Sequence, residues 1–324
     1  MILHNDKEVF HDAIVKTSEM FSIREIYIEK DYWVTYALKT VFGSPIGKEC
    51  VFKGGTALSK CFNLIDRFSE DIDLVILNKP EDTGGQLKKK LKAVSEVIGS
   101  VLKEIDVDGI TNKKGQVRKI AYEYDRICTG EFGQIRDKII LESSIFGFYE
   151  PSSDEFVSSF IADMIKESGL DYLLDKYEMH PFKVRVLSKL RTFCEKIMSL
   201  VKFSHTENAY EDLSNKIRHF YDLHNMLKDE EVLTFLEGDD FDDMLIRVGK
   251  DDKDKYKNNA EWIDIHPSES IVFSDVEDCW GKISGSYKTS FSEMVYGELP
   301  QEKIIIESLK KISTRINRVD WNLQ

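Results

Sequence analysis

The sequence predicts an α+β fold, a mixed β-sheet flanked by helices and followed by a mainly helical C-terminal lobe. Three observations carry that prediction. The stretch VFKGGTALSKCFNLIDRFSEDIDLVIL, from Val51 to Leu77, reads as strand, Gly-Gly turn, helix and strand in close succession. Apolar residues then recur at helical spacing from Gln86 to Ile105 and give way to two β-like runs, Val117 to Asp125 and Ile135 to Ile145. Beyond Pro151 the periodicity becomes helical.

Taken in order, residues from Lys7 to Phe42 read as helical, with Glu29-Lys30-Asp31-Tyr32-Trp33 near the middle, and Gly43-Ser44-Pro45 ends the helix. Val51 and Phe52 finish a buried strand. Gly54 and Gly55 form a turn that lets backbone amides approach a phosphate, and Thr56 to Leu64 is the helix that follows. Asp71 and Asp73 open the next strand. Side chains alternate across a strand, so both carboxylates share one face while Ile72, Leu74 and Ile76 enter the other, buried one. In the helix from Gln86 to Ile105, Leu87, Leu91, Val94, Ile98, Val101, Leu102 and Ile105 make the inward face, with Lys88, Lys89, Lys90 and Lys92 outward.

At 324 residues the chain can hold one large domain or two lobes, and the change of character places a division at 1–180 and 181–324. The opening MILHNDKEVFHDAIV lacks the apolar core of a signal peptide, and no apolar run is long enough for a bilayer. A cytoplasmic protein with no membrane partner is expected. The five cysteines are scattered without C-x-x-C, and the seven histidines lack metal-ligand spacing, which argues against zinc and a disulfide framework. A net charge of −13 argues against DNA readout, but it is unevenly spread. Asp229 to Asp243 is purely acidic among its charges and reads as a solvated face. Lys183, Arg185, Lys189, Arg191, Lys196 and Lys202 meet the single acid Glu195 and make a basic strip that can guide an RNA backbone.

The D-x-D strand carries the chemistry. Two like charges held that close repel unless a cation sits between them, and the usual one is a divalent metal, most often magnesium. Metal-dependent nucleotidyl transfer also calls for a third carboxylate on a neighbouring strand. In KIILESSIF, Glu142 is the acid in an otherwise apolar run, costly to bury ionised unless paired or metal-bound. The alternative is an edge strand with Glu142 facing water.

In the second half, Pro181 opens a helical segment whose Leu187, Leu190, Cys194, Ile197, Met198 and Val201 share one face. Arg185, Lys189 and Lys196 line one flank, and Arg191 and Glu195 form an i,i+4 pair on the other. In NKIRHFYDLHNML, Ile217, Phe220, His224 and Leu227 face the core while Arg218, Asp222 and Asn225 project from the opposite side.

The runs FKGGTALSK and DRFSEDIDLVIL resemble the AbiEii/AbiGii-type toxin family of the DNA polymerase β-like nucleotidyltransferase superfamily. The core motif, a glycine pair with Ser or Thr and then R-x-S-x-D-I-D-L, falls on Gly54, Gly55, Thr56, Arg67, Ser69, Asp71 and Asp73 without departure. RTFCEKI resembles a second family motif, whose nucleotide-binding lysine maps onto Lys196, and RHFYDL a third, on Arg218, His219, Tyr221, Asp222 and Leu223. Recognisable pieces run from Ile28 to Leu227.

The resemblance implies a two-metal Mg2+ site on Asp71, Asp73 and Glu142, with an NTP as substrate. Lys53, Gly54, Gly55, Thr56, Arg67, Ser69, Lys196 and Arg218 would hold the nucleotide. Asp71, Asp73, Glu142, Lys196 and Asp222 would be catalytic. Asp222 has two readings, an ordinary i,i+4 pair with Arg218 or a group that orients Lys196 or the base. The implied role is the toxin of a bacterial toxin–antitoxin or phage-defence pair, acting on a tRNA 3′ end or other RNA and silenced by an antitoxin of winged-helix type. Protein side chains and small molecules such as antibiotics are the alternative acceptors. A non-catalytic binding module would be expected to have lost carboxylates, and all three are present.

Overall fold

Seven strands, Cys50–Lys53 (β1), Ile72–Ile76 (β2), Lys103–Ile105 (β3), Val117–Glu123 (β4), Ile139–Ser144 (β5), Ser152–Val157 (β6) and Phe182–Leu187 (β7), form one mixed sheet in the computed structural model. Their order is β3-β4-β5-β2-β1-β7-β6. The described residues are 1–113, 115–130, 135–145, 149–256 and 261–323. The chain divides into two compact units, Met1–Phe62 with Phe68–Leu187, and Asn63–Arg67 with Ser188–Gln324.

The first unit holds the sheet. β1 runs antiparallel to β2 and parallel to β7, β2 runs parallel to β5, and the remaining pairs are antiparallel. The two central strands are covered on both faces. Cys50, Val51, Phe52, Ile72, Leu74, Val75 and Ile76 are all buried, and on β1 and β2 only Lys53 and Asp73 are less than fully buried. The continuous buried run is thus interrupted by charge at one end of the pair, which marks where the sheet meets solvent.

Among the described residues, the α-helices of this unit are Lys7–Phe21 (α1), Glu25–Phe42 (α2), Gly54–Lys60 (α3), Gly84–Gly99 (α4), Phe160–Glu167 (α5) and Tyr172–Tyr177 (α6). The helix expected over 7–42 is two, because Ser22 takes a left-handed conformation at φ 55° and breaks it. The helix expected over 86–105 stops at Gly99, and Lys103–Ile105 leaves as β3. Its start is fixed by a capping box in which Thr83 and Gln86 satisfy each other's backbone donors. The helical reading of 181–188 is also corrected. Val184 and Val186 point in while Lys183 and Arg185 point out, a period of two, and Phe182–Leu187 pairs with both β6 and β1. β6, with its charged and exposed residues, gave no apolar signal.

The second unit is helical: Lys189–Phe203 (α7), Ala209–Asn215 (α8), Ile217–Met226 (α9), Glu230–Glu237 (α10), Asp240–Tyr256 (α11), Ile271–Ser274 (α12), Val276–Ser286 (α13) and Glu302–Ile316 (α14). Ser188 caps α7 by accepting from the Leu190 amide. The acidic run has a structural explanation. Asp229 caps α10 and Glu230 and Glu231 fill its first turn, while Asp240, Asp242 and Asp243 fill the first turn of α11, where helix dipoles favour negative charge. The short segment Asn63–Arg67 belongs here through amides of Tyr296 and Gly297 that donate to the Asp66 carbonyl at 3.0 and 3.2 Å, and through an antiparallel bridge between Arg67 and Val295.

Candidate active site

The sheet register builds a row of charge across four adjacent strands. Lys53 lies opposite Asp73, Asp73 opposite Glu142, and Glu142 opposite Lys119. Opposed residues of neighbouring strands share a face, so the order across β1, β2, β5 and β4 is plus, minus, minus, plus. Asp71 stands one residue before β2. Burial, then Asp71 and Glu142, push the Asp73 carboxyl up from its ordinary 3.8 to about 7, with Lys53 and Lys119 opposing the rise.

The Gly-Gly turn is shaped around that carboxylate. Gly54 sits at φ +85°, and a Cβ there would run into Asp73 Oδ2. Glycine is therefore required twice, by the left-handed backbone and by the close approach. Gly55 follows in the first turn of α3. Thr56 is buried, donates its hydroxyl proton to the Asp71 carbonyl at 2.6 Å and shares a hydrogen bond with Ser69 Oγ at 3.0 Å. In this structure Thr56 and Ser69 brace the loop that carries Asp71. The hydroxyl expected to meet phosphate has its proton on that loop.

Glu142 differs from the buried carboxylate that its apolar strand suggested. Its side chain is 44% exposed and pairs with Lys119 at 3.3 Å, so the neighbouring strand supplies the counter-charge and water the rest. Asp71 is the opposite case. Its Oδ1 is buried with no hydrogen-bond donor among the described residues, and Arg136 Nη1 is 3.8 Å away. An orphaned carboxylate oxygen beside a desolvated second carboxylate fits a hard divalent cation on Asp71 and Asp73. Among the described residues no three acidic, histidine or cysteine side chains are already drawn together around a metal position.

The structure shows what the charges of α2 do. Glu29 accepts from the amides of Ile127 at 2.6 Å and Cys128 at 3.0 Å. Asp31 pairs with Lys60 of α3 at 2.5 Å and accepts from the Phe160 amide at 2.9 Å. Lys30 is bonded to Glu70, the residue before Asp71, and to the Arg136 carbonyl. Three consecutive charges inside a helix otherwise buried among Ile28, Tyr32 and Trp33 were the available signal. Arg136 itself carried no signal; only the fold brings it to Asp71.

The second unit holds a separate buried cluster. Arg67 grips Asp222 with both arms, Nε to Oδ1 at 2.7 Å and Nη2 to Oδ2 at 2.8 Å, and Lys196 donates to Oδ2 at 2.6 Å. Burial alone would raise the Asp222 pKa, but Arg67 and then Lys196 hold its carboxyl well below the usual carboxylate range. Burial pushes the Lys196 ammonium down against the pull of Asp222, and it pushes His219, 3.4 Å from Lys196 Nζ, well below the ordinary histidine value.

Of the two sequence readings of Asp222, the pairing observed is with Lys196 and Arg67. Ile217, Phe220 and His224 are buried as expected, but Asp222 and Asn225 are buried too and Leu227 is partly exposed, which corrects the assignment of α9's faces. Arg218 is partly exposed on the same helix.

The basic strip from Lys183 to Lys202 does not form as read. Lys183 and Arg185 leave β7, Lys189 is held by Asp229 and Glu231 at 2.8 Å each, and Arg191 is buried against Glu195 at 3.1 Å and Asp251 at 2.5 Å.

Two stability tests follow from these environments. The Asp73 pKa is raised on folding, so its burial costs nothing well below pH 3.8 and lowers stability progressively as pH climbs from there toward about 7. In chelator-containing buffer, Asp73→Asn should unfold like the wild type at acid pH and at a higher temperature above neutrality; a constant difference across the range would refute the raised pKa. In the second unit, Asp222→Asn leaves two buried cations facing a neutral group and should cost about 3–5 kcal/mol in urea unfolding. Lys196→Met keeps the two-armed Arg67–Asp222 pair and should cost clearly less. Equal losses would mean that the pair does not stand by itself.

A family model described as nucleotidyl transferase AbiEii toxin, type IV toxin–antitoxin system, matches residues 37–322. No curated protein sequence matches the chain. Among solved structures, the fold is similar to that of MenT4, a nucleotidyltransferase toxin from Mycobacterium tuberculosis H37Rv, at a TM-score of 0.58 and 14% identity, covering 95% of this chain and 90% of that one.

Proposed function

Because the chain belongs to the AbiEii family of nucleotidyltransferase toxins of type IV toxin–antitoxin systems, we propose that it moves a nucleoside monophosphate from an NTP to an acceptor hydroxyl at the carboxylates of β2. The observation that carries this reading is the row Lys53–Asp73–Glu142–Lys119 with Asp71 at its edge and the Gly54 backbone pressed against Asp73. In the reaction the acceptor oxygen bonds to the α-phosphorus, the bond from that phosphorus to the pyrophosphate oxygen breaks, and pyrophosphate leaves.

Each residue has a part. The glycine turn brings Gly54 and Gly55 backbone against the phosphates where no side chain intervenes, and Lys53 adds charge at the end of β1. Thr56 and Ser69 hold the Asp71 loop in register. Glu142, half-exposed beside Asp73, takes the proton of the acceptor hydroxyl as the new bond forms. Asp71 and Asp73 would hold a divalent cation, magnesium by the chemistry of all-oxygen donors, which when bound supplies positive charge to the phosphates.

In the second unit the Arg67–Lys196–Asp222 cluster has two cations against one anion. With Arg218 it is the part of the proposal that the motif resemblance assigns to the nucleotide.

The acceptor is an RNA hydroxyl, a tRNA 3′ end by the family resemblance, and a cognate antitoxin, of winged-helix type, restrains the activity in the cell. A specific observation favours a second reading. The net charge is −13 and three cations of the expected strip, Lys189, Arg191 and Lys196, are paired with acids, which suits an acceptor other than a polyanion.

The two readings separate in one experiment. Purified protein is incubated with each α-labelled NTP, magnesium and a mixture of total RNA and cell protein, and label is followed on denaturing gels. Label is expected in RNA of tRNA length, and it should be lost, by at least a hundredfold, in Asp71→Asn and Asp73→Asn, which remove charge and keep volume. Label in protein bands alone would move the acceptor to a side chain. Full transfer by either Asn variant would rule out the carboxylate site.

A further inference from the structure

We propose that Arg136 is a further catalytic residue of this site, a mobile guanidinium on a fixed backbone that takes the polyphosphate of the NTP. The inference rests on the nucleotidyl-transfer reading above and adds to it a residue that no sequence motif of the chain contains.

The backbone of Arg136 is held from both sides by one buried ion pair. Its amide donates to Glu70 Oε1 at 3.2 Å, and its carbonyl accepts from Lys30 Nζ. Lys30 and Glu70 are bonded to each other, with side chains 0% and 3% exposed. Glu70 directly precedes Asp71 in the chain. The same pair therefore fixes the main chain at Arg136 and the approach to the first carboxylate, so the two are set relative to each other by a buried contact whose rupture is expensive.

The side chain is treated differently. It is 44% exposed, and its Nη1 stands 3.8 Å from Asp71 Oδ1 and 4.0 Å from Glu70 Oε1. Both distances exceed hydrogen-bonding reach. Among the described residues the guanidinium donates no hydrogen bond, while Asp71 Oδ1 accepts none. The contrast with neighbouring cations is chemical. Lys30 is buried on Glu70, Lys60 is bonded to Asp31, and Lys119 lies across from Glu142.

Arg136 is near enough to feel the carboxylate and too far to be bound by it. Such a guanidinium keeps its planar donor fork for a ligand, and that fork matches two oxygens of a phosphate. A structural counter-ion would be expected to close to about 2.8 Å and lose its exposure. Fixing the backbone in advance reduces the ordering cost when the ligand arrives, which is the reason to clamp the main chain and leave the head group free. In the transfer step the charge that grows is on the departing pyrophosphate, and a guanidinium bound there stabilises the products of bond breaking at phosphorus.

The test compares ligands that differ in phosphate number. A non-hydrolysable NTP analogue with a methylene between the α- and β-phosphorus, inorganic pyrophosphate and the corresponding nucleoside monophosphate are titrated into wild type, Arg136→Gln and Arg136→Lys in magnesium buffer. For Arg136→Gln the affinity for the NTP analogue and pyrophosphate should fall at least tenfold, the monophosphate should stay within twofold, and Arg136→Lys should recover part of the loss. Unchanged binding of the NTP analogue to Arg136→Gln would overturn the proposal. So would an equal loss for all three ligands, which is the signature of a counter-ion that merely shapes Asp71. Wild type that binds no NTP analogue would overturn both this inference and the nucleotidyl-transfer reading, whereas a defect-free Arg136→Gln beside a competent wild type would overturn this inference alone.

Discussion

Two carboxylates on adjacent strands, Asp73 and Glu142, face each other across the β2–β5 register, with Asp71 beside them, and much of the first unit is arranged around their mutual repulsion. Lys53 and Lys119 flank the pair on the outer strands. Burial, with Asp71 and Glu142 adding to it, outweighs their opposing charge, and the Asp73 carboxyl still rises to about 7. A site in this condition is held short of neutrality by its own scaffold. It gains most from a ligand that brings positive charge, which is the electrostatic prerequisite for a cation and a polyphosphate to bind together.

Buried ion pairs do the positioning. Glu29, Lys30 and Asp31 are consecutive in α2, yet each reaches a different segment: the 127–128 amides, Glu70 with Arg136, and Lys60 with the Phe160 amide. Such pairs add little to net stability, because desolvation offsets much of their attraction, but a wrong arrangement strands a charge. Their contribution is therefore to uniqueness of geometry at the loop carrying Asp71. The second unit uses the same device. Arg67, four residues before Asp71 in the chain, belongs there by its grip on Asp222, so a single strand-connecting segment is anchored by a carboxylate more than a hundred residues later.

The errors of sequence reading share a cause. β7 and the basic strip read as one helix because the apolar residues at 187, 190, 194, 197, 198 and 201 satisfy helical spacing when the Ser188 boundary is overlooked. β6 was missed because an exposed edge strand needs no apolar alternation. Glu142 was weighed as a buried charge because its strand is apolar, although its exposure depends on which strands flank it. Burial is a property of neighbours, and periodicity reports only on the element itself.

What the sequence by itself determined is local: the glycine at 54 that a left-handed turn demands, the two carboxylates two residues apart on one strand face, the helical spacing of α4 and α7, and the motifs by which the family was recognised. These follow from bond geometry and side-chain alternation over a few residues. The tertiary structure decided the rest. The strand order put Lys53, Asp73, Glu142 and Lys119 in one row, the packing of α2 carried Lys30 to Glu70 and Arg136, and the second unit joined Arg67 to Asp222 and Lys196. Each of these joins residues from 20 to 155 positions apart, as with Arg67 and Asp222 at the far end. Whether such charges meet depends on strand register and on the cost of leaving any of them buried alone, and neither quantity is written in a short window of the chain.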